Sequence, residues 1–285
     1  MNAQTRAQHA AHVEAAIASG QAAQSALVAS WRRSSRLHQL EPSLPRSPLR
    51  LTDIELQHAR ERVGSLMHIA QPALSHLHHA VGAIGCCVLL TDRDGVPVDR
   101  RGAAADDATF EAWGLWPGCS WSEEHEGTNG IGTCLVEKRP ITIDRDQHFL
   151  SRNIAMSCTA APIYDHDARL AGALDVSSCR TDRTDAFAGL ISLAVSESAR
   201  AIEAELFRAA FPKARIVVTP PSECGGSGLI AVDADDLVVG ATRPARRSLG
   251  LAASGVLRPV PAADLLAGAN ARREQIGDLE RGILQ

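Results

Sequence analysis

The sequence lacks the features of a membrane or secreted protein. None of its apolar runs approaches the roughly 20 residues that span a bilayer. Its first stretch, residues 1–20, has no basic end followed by a compact apolar block, so it does not resemble a secretory signal. A formal net charge of -4 gives no general attraction to nucleic acid. We therefore expect a cytoplasmic protein with no membrane partner, and we expect the short basic segments 31–36 and 243–247 to be solvated.

The cysteines have no spacing that indicates a disulfide framework or a zinc site. There are seven of them, an odd number, and no two form a C-x-x-C pair. Buried cysteine most often behaves as a small hydrophobic residue, so we expect reduced thiols and no bound metal. The cysteines are Cys86, Cys87, Cys119, Cys134, Cys158, Cys179 and Cys224.

Two classes of catalytic motif are also missing. No G-x-x-x-x-G-K-[ST] phosphate loop occurs, so we expect no ATPase in this sequence. No nucleophile stands in a recognisable context with a base, and no matched acid pair is evident. We therefore expect a protein that is not an enzyme and that needs no cofactor.

The order of predicted elements indicates an α+β fold. Residues 1–48 comprise an Ala-rich helical arm and a Pro-rich linker, and we expect the ordered protein to start after that linker. Residues 49–211 form the main domain, with long helices at both ends. Residues 212–268 form a smaller strand-turn-strand-helix unit, and residues 269–285 begin a further helix.

Within the main domain, the strongest local prediction is a hairpin at 86–102, where an apolar strand meets an Asp-Gly turn. A strand at 141–143 and a second hairpin over 156–178 complete an antiparallel sheet. Apolar residues recur at heptad-like spacing over 51–79, where Pro72 predicts a kink, and the segment 183–210 predicts a long amphipathic helix.

The segment WSEEHEGTNGIGTCLVEKRP, residues 121–140, combines acids, glycines and an apolar run. Exposed amides at a helix start attract phosphate. However, no lysine follows the glycines, and the acids would repel an anion. We therefore interpret Gly127–Gly132 as a structural turn in which Thr128 or Asn129 caps a helix.

An ordered series of motifs resembles one family. WSEEHEGTNGIGTCL, DRDQHF, CTAAPIYDHDARLAGALDVSS and LIAVDADDLVVGATRPARRSLGL are similar to the sensory half of the acetoin-catabolism-regulator type of bacterial transcriptional activator. The resemblance implies a GAF-like domain at 49–211, a partial PAS-like unit at 212–268, and at 269–285 a helical lead-in to a missing Fis-type helix-turn-helix. The sigma-54-engaging AAA+ ATPase of some members is absent here. DNA would be bound only beyond Gln285.

This resemblance implies a sensor that binds a small effector. Three of the four tryptophans lie in 113–121, beside carboxylates that could orient a ligand. We expect the pocket to be lined by Trp113, Trp116, Cys119, Trp121, Glu123, Asn129, His148, Cys158 and Asp175.

We expect a homodimer through the helices at 51–79 and 183–210, which would pass the signal onward. Two other interpretations stay open. One is a metal or thiol redox sensor that uses the cysteines and histidines of this region, and the other is a ligand-free dimerisation scaffold.

Overall fold

The computed structural model describes residues 3–23, 25–44, 47–179, 185–220 and 226–265. It divides into two units, Met1–Ile163 with Leu170–Ile202, and Tyr164–Arg169 with Glu203–Gln285. None of the helices in the described ranges is long and apolar enough to cross a membrane. The predicted lead-in helix at 269–285 lies outside the described residues.

The first unit is an antiparallel sheet with helices packed around it. Its helices are α1 (Ala3–Ala18), α2 (Ala26–Arg36), α3 (Asp53–Arg62), α4 (Gly64–Val81), α5 (Asp107–Ala112), α6 (Glu123–Glu126), α7 (Gly130–Glu137) and the start of α8 (Asp185–Ala210). Its strands are β1 (Cys86–Asp92), β2 (Pro97–Arg101), β3 (Ile141–Asp144), β4 (Ser157–Tyr164) and β5 (Leu170–Ser178), in the order β2-β1-β5-β4-β3. This is the α+β fold with an antiparallel sheet that the sequence predicts.

The predicted hairpins form as expected. Asp92 receives the backbone N–H groups of Asp94 and Val96 on its side chain, and Gly95 takes a positive φ of 82° between them. That backbone conformation favours glycine, which explains the Asp-Gly signal in the sequence. The strand β1 is buried along its whole length, because it pairs with β2 on one side and β5 on the other and helices cover the sheet.

The predicted helix over 51–79 is two helices. The break falls at Val63, with φ -115° and ψ 21°, while Pro72 lies inside α4. Our expectation of one continuous helix over 51–79 was therefore wrong. The apolar stripe nevertheless continues across the break, since the buried positions follow at intervals of three or four residues: Ala59, Val63, Leu66, Ala70, Leu74, Leu77 and Val81.

The N-terminal helices belong to the folded first unit, contrary to our expectation that order starts after the linker. The side chain of Ser25 caps α2, and one face of this helix is buried. Trp31 is 3% exposed and donates its indole N–H to the Gln147 carbonyl at 2.8 Å. It packs in a cluster with Val13 and Phe149. The segment 31–36 is therefore solvated on one side only, since Trp31 and Ser34 are buried while Arg32 and Arg36 are exposed.

The second unit contains a four-stranded antiparallel sheet of order β6-β7-β8-β9. The expected strand-turn-strand-helix unit is present as β7 (Leu229–Val232), β8 (Leu237–Ala241) and α9 (Arg243–Leu249), while β6 (Arg215–Val218) and β9 (Val260–Pro261) were not predicted. Arg246 corrects the expectation that 243–247 is solvated. It is 1% exposed and donates to the carbonyls of Ala241, Ala252 and Gly255.

Candidate functional site

The glycine-rich turn builds the start of α7. The Asn129 side chain accepts the N–H of Gly132 at 2.8 Å, and its amide donates to the carbonyls of Trp121 and Gly127 at 3.0 and 2.8 Å. This confirms the prediction of a structural turn with a helix cap. A Cβ on Gly132 would lie 2.5 Å from the Trp121 carbonyl oxygen. The turn is thus packed against backbone, which leaves no room for a phosphate at this point.

Glu123, expected at the pocket rim, is buried and surrounded by hydrogen-bond donors from this chain. The guanidinium of Arg33 binds it side-on through Nε and Nη2. Its Oε1 also accepts the hydroxyls of Ser30 at 2.5 Å and Thr133 at 3.1 Å. The carboxylate therefore connects α2 to the start of α7. Sequence reasoning missed Arg33, because its partner lies 90 positions away.

Three of the predicted residues lie in one buried cluster on the sheet face that is covered by α7 and by the loop at 113–121, which we call the tryptophan loop. Cys119 and Trp121 of the loop meet Cys158 of β4, with Trp113 and Trp116 packed against the same cluster. Trp121 is 1% exposed, and its indole N–H donates to the Gly114 carbonyl at 2.7 Å. We call this side of the sheet the inner face. It also carries Cys87, Leu89, Phe110, Leu115, Ile131, Cys134, Ile141, Ile143, Met156, Ala160 and Ala173.

Asp175 brings an ionisable group to the inner face. It stands on β5 directly opposite Leu89 of β1, so the two side chains share a face. Its Oδ2 accepts the Ser177 hydroxyl at 2.6 Å, whereas Oδ1 is buried without a hydrogen-bond partner among the described residues. Burial raises the pKa of this carboxyl to about 7. A Cβ on Gly130 would lie 2.6 Å from Cβ of Cys158 and 3.3 Å from Oδ1, so the start of α7 lies close above the acid.

Arg100 is a residue that our sequence reasoning missed. It lies opposite Leu89 from the other side, on β2, and therefore shares the inner face with Asp175. Its guanidinium lies over the rings of Phe110 and Trp116, at 5.2 and 4.6 Å from their centroids. A lone arginine in a strand gives little signal in a sequence. Because side chains alternate between the two faces of a strand, the sequence does place Arg100 on the same face as Val98 and on the opposite face from Asp99.

His148 makes its contacts with the turn 144–148 and with α1. Its Nδ1 bonds the Arg145 carbonyl at 2.9 Å, and Nε2 is buried with no partner among the described residues. Burial lowers the pKa of the imidazole to about 4. Because Nδ1 must carry the proton to donate to a carbonyl, Nε2 is the bare nitrogen of a neutral ring. The contacts of this side chain give no link to the inner face.

The thiols of the inner face are in their protonated form. Burial raises the pKa of Cys87 and Cys158 well above the ordinary value, and it raises that of Cys179 to about 12. The thiolate is the form that binds metals and attacks oxidants. Within the described ranges, no group of three or more His, Cys, Asp or Glu side chains is arranged to hold a metal ion.

Two cavities border these residues in the first unit. One of about 220 Å³ lies between α2 and the α7–β3 connection, lined by residues that include Ser30, Thr133 and Arg139. The other, about 470 Å³, runs along the edge of β2. We call it the edge cleft. Its lining consists of Arg50, Leu51, Asp53, Leu56, Arg60, Asp99, Arg100, Trp116, Pro117 and Gly118.

Comparison with known proteins gives consistent matches. The family described as MimR, N-terminal domain, matches residues 2–203. The acetoin catabolism regulatory protein of Cupriavidus necator is 33% identical over 241 residues, which are 83% of this chain and 36% of that protein. The MimR propane 2-monooxygenase operon transcriptional activator of Mycolicibacterium smegmatis is 31% identical over 165 residues, 56% of this chain and 26% of that protein. The chain thus matches only about a quarter to a third of the length of these relatives.

A solved structure supports the fold. A chain of the E. coli DhaR(N)-DhaL complex matches with a TM-score of 0.58 and 18% identity, covering 81% of this chain and 78% of that chain. At this identity the likeness shows the fold alone.

Proposed function

Because the chain belongs to the MimR N-terminal domain family, whose relatives are named as transcriptional regulators and activators, we propose that it is the sensory region of such a regulator. Its role is to bind a small effector and to change the activity of a DNA-binding region elsewhere in the protein. A regulatory rather than an enzymatic role agrees with the names of the relatives.

The observation that supports effector binding is the unpaired carboxylate oxygen of Asp175. A buried polar atom without a partner costs roughly 1–3 kcal/mol, and such atoms are rare unless they have a use. Apart from Arg100, the acid lies on a face whose other side chains are apolar or small, including Cys87 and Cys158. A mostly apolar surface with a few convergent polar groups is typical of small-molecule sites. We place the effector on the inner face, between Asp175 and the loop that carries Trp113, Trp116 and Trp121.

Of the other predicted site residues, Cys119 and Cys158 belong to this proposed site as apolar lining. Asn129 and Glu123 stabilise the elements around the site and do not contact the ligand, because the side chain of Asn129 already binds backbone groups and the carboxylate of Glu123 already binds Arg33. His148 is proposed as a structural residue of the neighbouring turn rather than as a ligand contact.

Transmission of the signal is assigned to the helices. An effector shifts a regulator only if it binds one arrangement better than the other. Helices α3 and α4 pack against the sheet, and α8 has exposed leucines that would suit a second copy of the chain. We propose a homodimer through 51–79 and 183–210, with DNA bound by a helix-turn-helix beyond Gln285, which the greater length of the relatives supports.

The second candidate is a ligand-free scaffold. It is favoured by one observation, namely that the atoms of Asp175 and Arg100 without partners are enclosed by the protein's own side chains. On this view the inner face is an ordinary core. A thiol or metal sensor is a weaker proposal, since burial raises the pKa of the thiols.

Thermal denaturation with a panel of small metabolites separates the first two candidates. A bound effector raises the melting temperature, and Asp175→Ala should abolish that rise while the unliganded variant remains folded by circular dichroism. The variant Thr142→Ala, on the edge strand β3, serves as a control and should respond to the metabolites as the wild type does. A protein that no metabolite stabilises at high excess, although the full regulator still responds to its inducer in cells, would contradict effector binding in this unit.

A further inference from the structure

The guanidinium of Arg100 presents a carboxylate-binding edge with no protein partner. Its Nη1 donates to Asp107 at 2.7 Å, but Nε and Nη2 are buried without a hydrogen-bond partner among the described residues. The side chain is 9% exposed. Nε and Nη2 are the two nitrogens of the side-on edge, whose parallel N–H groups match the two oxygens of a carboxylate.

The same chain shows this edge in use elsewhere. Arg33 engages the Glu123 carboxylate through its own Nε and Nη2. The equivalent Nε–Nη2 edge of Arg100 would therefore bind a carboxylate. The two aromatic rings of Phe110 and Trp116 hold the Arg100 guanidinium in place by cation–π contact, so its geometry is fixed before any ligand arrives.

The charge around Arg100 permits a further anion. Asp107 is the acid that pairs with it, and Asp107 is 40% exposed, so solvent screens that pair. The edge cleft, which Arg100 and Trp116 both line, has three arginines against two aspartates. Both oxygens of one of these acids, Asp99, already accept protein donors, Arg101 at Oδ1 and Gln71 at Oδ2. Arg50 of this cleft is paired with Glu111 at 3.0 Å, so the cleft carries no large excess of either charge.

Arg100 and Asp175 lie on the two strands that flank β1, each opposite Leu89. Neighbouring strands are about 4.8 Å apart, which puts their backbones roughly 10 Å apart. Both side chains reach over the same face, one with two unpaired donors and the other with one unpaired acceptor. A single small molecule with an acceptor at one end and a donor at the other could satisfy both.

We infer that Arg100 is the carboxylate-binding residue of the effector site and that the effectors are small organic acids carrying a hydroxyl donor for Asp175. This inference rests on the proposed function and specifies the chemistry of its ligand. A neutral ligand would leave the side-on edge of the guanidinium unpaired, and a simple acid without the hydroxyl would leave Asp175 unpaired.

The test uses matched pairs of probes: glycolate, lactate and glycerate against their amides glycolamide, lactamide and glyceramide. Sodium chloride at equal ionic strength controls for charge alone. Binding is followed by melting temperature and by tryptophan fluorescence, because Trp116 lies against Arg100. We expect at least one acid to bind and its amide to bind about ten- to a hundred-fold more weakly, the loss expected for a charged hydrogen-bond pair.

Variants then assign the effect to the residue. Arg100→Lys keeps the charge but loses the bidentate edge, and it should weaken acid binding about ten-fold or more without changing amide binding. Arg32→Lys, at an exposed arginine outside the cleft, is the matched control and should bind within two-fold of wild type. Circular dichroism and the melting temperature without ligand establish that each variant is folded.

The outcomes separate the two proposals. Amides that bind as well as the acids, or acid binding that Arg100→Lys leaves unchanged, would overturn the carboxylate assignment and leave effector sensing intact. If a wide metabolite panel of acids and neutral compounds gives no ligand at all, the proposed function itself fails.

Discussion

Arg33 of α2 and Glu123 of α6 form a side-on ion pair in which the carboxylate is almost fully buried. Glu137 of α7 also binds Arg33, at 3.1 Å. The two acids raise the pKa of the Arg33 guanidinium above its ordinary value, first through the hydrogen bonds that Arg33 donates to Glu123. Arg33 thus connects the N-terminal helix α2 to α6 and to α7, and α7 covers the inner face.

Removing the arginine should destabilise the first unit. Arg33→Ala leaves the Glu123 carboxylate buried without its cation, and breaking such a pair from one side costs about 2–4 kcal/mol when one partner is partly solvated. Urea unfolding measures the loss. The neighbouring Arg32, which is exposed, supplies the control, since Arg32→Ala should change stability by less than about 0.5 kcal/mol. Equal effects from both variants would show that the ion pair contributes nothing.

The sequence predicted those parts of the fold that depend on neighbouring residues. The Asp-Gly hairpin and the Asn129 cap are read from a few adjacent positions, and both are confirmed. The break at Val63 was missed because the apolar stripe continues through it. Arg33 and Glu123 were interpreted separately, as a solvated charge and as a ligand contact. Their pairing depends on how α2 packs, and no local pattern in the sequence carries that information.

The candidate site shows the same division. The tryptophan loop and Asp175 were predicted from composition and motif. In the structure Asp175 lies on the inner face, and Trp116 and Trp121 belong to the loop that covers this face. Arg100 was missed, since the significance of an arginine in an edge strand appears only when strand register sets it across Leu89 from Asp175. His148 was included on a motif but makes its contacts at another turn.

A Cβ should not be tolerated at Gly132. The added carbon would lie 2.5 Å from the Trp121 carbonyl oxygen and 2.6 Å from the Glu123 backbone nitrogen, and neither backbone atom can move cheaply. We expect Gly132→Ala to lower the unfolding free energy by about 2–4 kcal/mol. Gly189→Ala on α8 is the matched control: apart from the helix's own backbone, no atom of the described residues lies within 4 Å of the added Cβ, so the change should be neutral or stabilising by up to about 1 kcal/mol. Chemical denaturation of both variants decides the matter.

Asp175 should make stability fall as pH rises. Its folded pKa, about 7, is above the ordinary value of 3.8, so the native state holds the proton more tightly than the unfolded chain. The stabilisation is complete below pH ~4 and lost by pH ~7, and it amounts to at most about 4 kcal/mol. The free energy of unfolding of Asp175→Asn, minus that of wild type, should therefore increase across this window. A difference that does not change with pH would refute the assignment.

His148 should act in the opposite direction. Its folded pKa of about 4 lies below the ordinary 6.5, so the unfolded chain binds the proton first as pH falls. The resulting loss of stability begins near pH 6.5, is complete near pH 4, and reaches about 3 kcal/mol. In His148→Gln this component should disappear, seen as a shallower decline of unfolding free energy with acid. Replacing the exposed Ser75 by Ala, which removes no titratable group, should leave the decline as steep as in wild type.

The proposed dimer can be tested at two leucines of α8. Leu190 is 65% exposed and Leu193 is 59% exposed in a single chain, while Ile191 and Val195 between and beyond them are buried. The helix therefore has a second apolar edge that its own unit does not cover, and a partner helix at this edge would bury both leucines.

Replacing both Leu190 and Leu193 by Asp would place two charges in that interface, and sedimentation should show monomers where the wild type forms dimers. Leu37→Asp, a substitution of an equally exposed leucine outside the predicted interface, should remain dimeric. If the double variant still sediments as a dimer, this edge of α8 is not the interface. If Leu37→Asp dissociates as well, the cause is a general effect of added charge rather than a helix-mediated interface.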